Sequence, residues 1–175
     1  ALDFLPAGRF MQARLESLYE EKPAAYTEDH FQLFNEFKTA LNQGRIRAAE
    51  PDTSTPTGWR VNAWVKKAIL LGFRMGTVVD MSIDSERQPW LDKSTYPVKK
   101  FGVESGIRIV PGGSTIRDGC YIGRGVTCMP SMYINVGSYV GDGTMVDSHA
   151  LIGSCAQIGA NCHISAASQI GGVLE

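Results

Sequence analysis

Stepping by six from Ile116 lands on Ile122, Cys128, Ile134, Val140, Val146, Ile152, Ile158, Ile164 and Ile170. Nine of these ten positions are Ile or Val. With about a third of residues core-type, chance agreement is on the order of one in ten thousand or rarer. Two residues before each sit Ser114, Cys120, Val126, Met132, Ser138, Thr144, Ala150, Ala156, Cys162 and Ser168, nearly all small. No helix or alternating strand has a period of six. Repetition this short identifies a parallel β-helix.

Each hexad then supplies one short strand and one corner, and three hexads close a triangular coil. The aliphatic points inward, and the small residue two before it fits the tighter space near the corner. Glycine directly after the aliphatic is expected to ease the chain into a turn at positive φ. Coils stack at the inter-strand distance, about 4.8 Å, so residues eighteen apart share a column. The pattern resembles left-handed β-helix acyltransferases, an exception to the usual right-handed parallel crossover; the hand comes from that resemblance alone. A solenoid needs capped ends, and this one stops at GGVLE without a cap, so the natural protein is expected to continue.

The first part follows other rules, and the boundary is placed near Gly106: residues 1–106 as a small α-rich domain, 107–175 as the coil. Beyond Lys100 there is no lysine, and most of the 19 glycines lie there. Met11, Leu15 and Leu18 predict a helix over 9–21. Phe31, Phe34, Phe37 or Lys38, and Leu41 predict another over 28–43, with Thr27 as N-cap and Gly44 as terminator. RIRAAE (45–50) reads as a short strand closed by the turn-rich PDTSTPTG. Asn62 is expected to cap a third helix, 63–74, burying Trp64, Ala68 and Leu71, with Lys66 and Lys67 as a solvated face rather than a phosphate site. Residues 75–100 mix strand-like and turn-like pieces.

The chain has 175 residues, 43% hydrophobic and 20% charged, with net charge −1. That balance points away from nucleic-acid and membrane partners. The longest apolar run, AILLGF (68–73), is far too short to span a bilayer. ALDFLPAGRF is not a secretory signal, although with no initiator Met the start is expected to be processed or missing. Cys120, Cys128, Cys155 and Cys162 lack C-x-x-C pairing and read as free cytosolic thiols. Cys120, Cys128 and Cys162 fall in inward phases and Cys155 at a turn.

TMVDSH (144–149) carries the candidate chemistry. Asp147 follows the inward Val146, so its side chain points out of a flat prism face, with Met129 and Ser165 as column neighbours. A carboxylate there is either a surface turn-cap or, if faces associate as in trimers, an enclosed group whose desolvation raises its pKa and suits it to accept a proton. His149, at a corner, is the competing base, because many hexapeptide acyltransferases use a histidine. His163 also points outward, fourteen residues on, which is not a column spacing. A zinc site like that of γ-class carbonic anhydrases needs three converging nitrogens. Only His149 and His163 lie in the coil, with His30 in the helical part, so no metal is expected.

Several words, RIRAAEP, GWRVNAWVKKAILLGFR, GIRIVP, MPSMYINVGSYVGDGTMVDS, IGSCAQIGANCHIS and IGGVLE, resemble the 2,3,4,5-tetrahydropyridine-2,6-dicarboxylate N-succinyltransferase (tetrahydrodipicolinate N-succinyltransferase) family. The resemblance runs from about residue 40 to the end. It implies a cytoplasmic homotrimer with active sites between neighbouring prisms. The reaction implied is succinyl transfer from succinyl-CoA, a cosubstrate rather than a bound cofactor, to the amine of tetrahydrodipicolinate in diaminopimelate and lysine biosynthesis. By motif, Arg108 corresponds to a substrate-carboxylate ligand, and Asp147 to a substrate ligand and proposed base. A guanidinium fork suits a dicarboxylate, and an attacking amine must lose a proton. No acyl-enzyme is needed, so the cysteines read as packing.

Departures from the family pattern are local. Met145–Ala150 reads MVDSHA where relatives often have MVDTWA, and Ser165–Gly172 reads SAASQIGG where they often have SGGVGIGG. Ala166 and Ala167 thus replace glycines near the acyl-CoA path, which bears on acyl-chain preference. The family's second functional carboxylate belongs to a later motif, and Glu175 does not stand in for it. Two alternatives remain open: an N-acetyltransferase acting on the same acceptor, and a non-catalytic scaffold with Asp147 and Arg108 as surface charges. An enzyme places both residues on one interprotomer cleft; a scaffold leaves them in open solvent.

Overall fold

A computed structural model describes residues 5–174; the expectations for the first four residues and for Glu175 lie outside them. The expected parallel β-solenoid is present from Arg108 onward, as two-residue strands in three walls. The first wall stacks Arg108–Ile109, Thr127–Cys128, Met145–Val146 and His163–Ile164. The second stacks Thr115–Ile116, Tyr133–Ile134, Leu151–Ile152 and Gln169–Ile170. The third stacks Tyr121–Ile122, Tyr139–Val140 and Gln157–Ile158. Partners lie eighteen apart, except that Arg108 faces Thr127, nineteen on. The extra residue is absorbed in the corner at Pro111–Gly113, where Ser131 Oγ donates to Gly112 O at 2.6 Å.

The hexad phases have the expected burial. Ile134, Val140, Val146 and Ile152 are fully buried, and so are Cys120, Val126 and Thr144 two residues before inward positions. Each inward aliphatic contributes about 1.5–3 kcal/mol by leaving water. Polar members of the small set are satisfied: Ser138 Oγ reaches Gly153 O at 2.8 Å, and Thr144 Oγ1 reaches Gly159 O at 2.8 Å. Burial pushes the Cys120 and Cys128 thiols up to about 12, as expected of packing residues, and all four cysteines are free. Cys155 sits at a corner yet is buried, because it packs with the helical part rather than inside the prism.

The glycine after the aliphatic has a different reason from the one expected. Positive φ falls three residues past the inward position, at Gly119, Gly125, Gly137, Gly143, His149, Cys155, Asn161 and Ala167. Gly141 and Gly153, directly after inward residues, are instead squeezed by the next coil. A Cβ on Gly141 would lie 2.5 Å from Ala160 N and 2.6 Å from Gly159 C. Backbone meets backbone there, and only hydrogen fits.

In the helical part, α1 (Leu5–Glu21), α2 (Glu28–Asn42) and α3 (Ala63–Met75) lie close to the expected ranges. Thr27 caps α2 in a capping box whose return contact comes from His30 Nδ1, accepting the Thr27 N–H at 3.2 Å. Gly44 takes φ +67 just beyond. The strand expected over 45–50 starts later, at Ala49–Pro51, paired antiparallel with Trp59–Val61. The Arg45 and Ile46 N–H groups instead donate to Ala40 O at the end of α2, and Arg47 reaches the coil. Asn62 precedes α3 without a side-chain cap; its amide donates to Arg47 O and Glu50 Oε1, tying the hairpin base. Lys67 pairs with Glu20 at 3.0 Å and Lys66 is exposed. Residues 75–100 contain a second hairpin, Val78–Asp80 with Leu91–Lys93.

The helical core includes Val136 and Cys155 of the coil, so the two parts share a hydrophobic seam. Arg47 stacks 3.7 Å over the Tyr139 ring and donates to Gln157 at 2.9 Å, while Tyr121 and Tyr139 stack at 4.5 Å. These contacts cover the third wall. The second hairpin reaches the second wall through Asp92, paired with Arg117 at 2.5 Å.

Urea unfolding tests the corner assignments. Gly141→Ala is expected to destabilise by about 1–3 kcal/mol through the backbone clash. Ala167→Gly is expected to stabilise by roughly 0.5–1 kcal/mol, since φ +59 strains a side-chain-bearing residue by more than the extra glycine entropy costs.

Candidate functional site

Among the described residues, no helix or hairpin packs extensively on the first wall. It carries both residues singled out from the sequence. Arg108 opens the column continued by Thr127, Met145 and His163. Asp147 lies two residues past Met145, hydrogen-bonded through its N–H to Ile164 O at 2.9 Å. Two strand spacings and a two-residue step put the backbones of Arg108 and Asp147 roughly 12 Å apart. The Arg108 side chain is exposed, with no side-chain partner among the described residues.

Asp147 is held from two sides. The Ser148 N–H donates to Oδ1 at 2.7 Å, and Oδ2 lies 3.0 Å from His163 Nε2. The Asp147 side chain is 26% exposed and that of His163 57%. The rise in pKa expected of Asp147 belongs to enclosure between associated faces; the single chain holds its pKa low. Burial does raise it, but the Ser148 N–H, and after it the His163 contact, outweigh burial and hold the carboxyl below its usual range. As it stands, Asp147 is an ionised, oriented carboxylate.

His163 was not paired with Asp147 by counting in eighteens, because the two lie sixteen apart. It faces Met145 directly, and Asp147 reaches it on the diagonal. Diagonal neighbours on parallel or antiparallel walls are within reach of long side chains, so spacings of sixteen and twenty were the signal available. His149 sits exposed at its corner with φ +61. His30 belongs to the α2 cap. Among the described residues, no three His, Cys, Asp or Glu side chains are grouped to hold a metal ion.

The site is a wall rather than a hollow. A cavity of about 420 Å³ lies under the second hairpin, lined by Trp90, Asp92, Tyr96, Arg117 and Tyr133 among others, and neither Arg108 nor Asp147 lines it. Its arginine is already paired to Asp92, whereas the guanidinium of Arg108 is available. The uncovered wall is therefore the better candidate.

Residues 11–75 match the family model described as tetrahydrodipicolinate N-succinyltransferase N-terminal. Three curated relatives carry the name 2,3,4,5-tetrahydropyridine-2,6-dicarboxylate N-succinyltransferase. The protein of Xylella fastidiosa (strain 9a5c) is 47% identical over 140 residues, covering 77% of this chain and 48% of that one. That of Methylorubrum extorquens (strain PA1) is 39% identical over 172 residues, covering 94% and 60%. That of Rickettsia typhi (strain ATCC VR-144 / Wilmington) is 49% identical over 148 residues, covering 82% and 52%. The chain thus spans about half the length of the curated relatives it matches.

The two donors on Asp147 act separately, which carbon NMR of its carboxyl can read. His163→Ala is expected to move the Asp147 titration midpoint upward, because one group favouring the ionised form is lost. The midpoint should stay below that of an ordinary aspartate, because the Ser148 N–H remains. An unmoved midpoint would show that the His163 contact is not made in solution.

Proposed function

We propose that the chain belongs with the tetrahydrodipicolinate N-succinyltransferases and forms the acceptor-binding part of such an enzyme. In this reading it moves a succinyl group from succinyl-CoA to the amine of tetrahydrodipicolinate, in lysine biosynthesis by the diaminopimelate pathway, in the cytoplasm. Residues 1–106 and 107–175 are its two domains here. The observation that carries the proposal is that Arg108 and Asp147 share a wall on which, among the described residues, no helix or hairpin packs extensively. Ligand sites are concave and bury most of a small ligand, and a flat wall cannot do that alone. A second prism laid against it can, which supports a homotrimer with the site in the seam.

The roles follow from charge and proton balance. Arg108 pairs with a carboxylate of the acceptor through parallel N–H···O bonds. The amine nitrogen attacks the thioester carbonyl, forming the N–C bond, and the C–S bond then breaks to release the CoA thiolate. The amine proton passes to Asp147 and from there to solvent or the departing thiolate. Because Asp147 is a weak base in the single chain, enclosure by the neighbouring prism is what raises its basicity, by removing water that favours the charge.

Thiol release with tetrahydrodipicolinate as acceptor tests the assignment in the complete protein. Succinyl-CoA is expected to be preferred; a clear preference for acetyl-CoA would make this an acetyltransferase. Asp147→Asn should abolish transfer and leave the trimer intact, with near-normal turnover refuting the base role. Arg108→Leu should raise KM for the acceptor by roughly ten- to a hundredfold, the loss of a charge-assisted pair worth about 1.5–3 kcal/mol. No transfer to the dicarboxylate from either donor would favour the scaffold.

A further inference from the structure

We propose that His163 is a positioning residue for Asp147, fixing from the neighbouring coil the plane in which the carboxylate meets the amine. This rests on the succinyl-transfer reading of Asp147 and adds to it a residue that the motif comparison leaves without a role.

A terminal carboxylate torsion is broad and roughly two-fold, so one hydrogen bond leaves an aspartate free to swing. Asp147 has two, one on each oxygen. The first comes from its own corner, the Ser148 N–H on Oδ1, and the second from the next coil, His163 on Oδ2. His163 cannot drift, because its strand is in register with Met145–Val146 and the Met145 N–H bonds Cys162 O at 2.9 Å. Groups mounted on paired strands hold a site more tightly than groups on loops.

The polarity of the contact sets the tautomer. An ionised carboxylate only accepts, so Nε2 carries the proton and donates it to Oδ2, leaving Nδ1 unprotonated in the neutral ring. Each carboxylate oxygen retains a second lone pair, and the amine proton has a place to go without breaking either bond. Donors on both oxygens weaken the base somewhat. In return they hold the acceptor lone pair in one direction, and a misplacement of about 1 Å in such a group costs on the order of a hundredfold in rate.

The test uses the complete protein with succinyl-CoA and tetrahydrodipicolinate, and two variants. His163→Ala is expected to lower kcat by roughly ten- to a hundredfold, with KM for the acceptor moving by less than about threefold. His163→Gln, whose amide N–H₂ can donate from nearly the place of Nε2, is expected to recover most of that loss. An unchanged kcat in His163→Ala overturns the proposal. So does a His163→Gln variant as poor as His163→Ala, since the imidazole would then act through its own protonation rather than by holding Asp147. Both variants should keep the parent's size and circular dichroism, because the substitution leaves the inward Ile164 and its strand pairing with Met145–Val146 in place. A parent protein that transfers no succinyl group fails the functional reading itself, a result separable from either variant outcome.

Discussion

The structure depends on one distance, the spacing at which each coil lies on the next. Stacking aligns residues eighteen apart and brings their backbones into hydrogen-bonding contact along all three walls. Everything else adjusts to it. The inward aliphatics fill a prism of fixed bore, most residues two before them are small, and at Gly123, Gly141 and Gly153 a Cβ would strike the next coil's backbone. Two-residue strands could not hold together singly. They persist because each is clamped above and below, and because the same core runs unbroken through the column.

The same regularity makes a precise platform out of irregular pieces. The helical part is fastened to the third wall by Arg47 and the tyrosine stack, and its second hairpin leans on the second wall. Among the described residues no helix or hairpin packs extensively on the first wall, and its charged side chains sit at positions set by strand pairing. A neighbouring amide, and after it a histidine one coil away, hold the Asp147 carboxyl below its usual range. Local electrostatics in the single chain thus oppose the chemistry that the functional reading asks of this group, and water exclusion by a partner is the physical means of reversing that.

Much of the architecture was legible because a period of six leaves little choice. Inward and outward phases, the burial of Cys120 and Cys128, and the three helices follow from spacing alone. The failures have physical causes. Glycine was given a conformational reason where a steric one applies, because contact between coils is invisible in a linear count. RIRAAE reads as a strand before a turn-rich segment, but Arg47 is held by Tyr139 and Gln157, more than ninety residues away. Asn62 had the identity of a cap and found better acceptors in the hairpin beside it. Asp147 was recognised, but its histidine was not, since a diagonal contact between coils does not fall on the column spacing.

The corner at Pro111–Gly113 has a wider consequence. It absorbs one residue beyond the repeat while the walls on either side stay in register. Extra length there leaves the stack undisturbed, whereas a residue added within a strand would turn every later aliphatic out of the prism. Over the history of such chains, corners are where loops can lengthen and acquire new contacts, while the strands between them keep count.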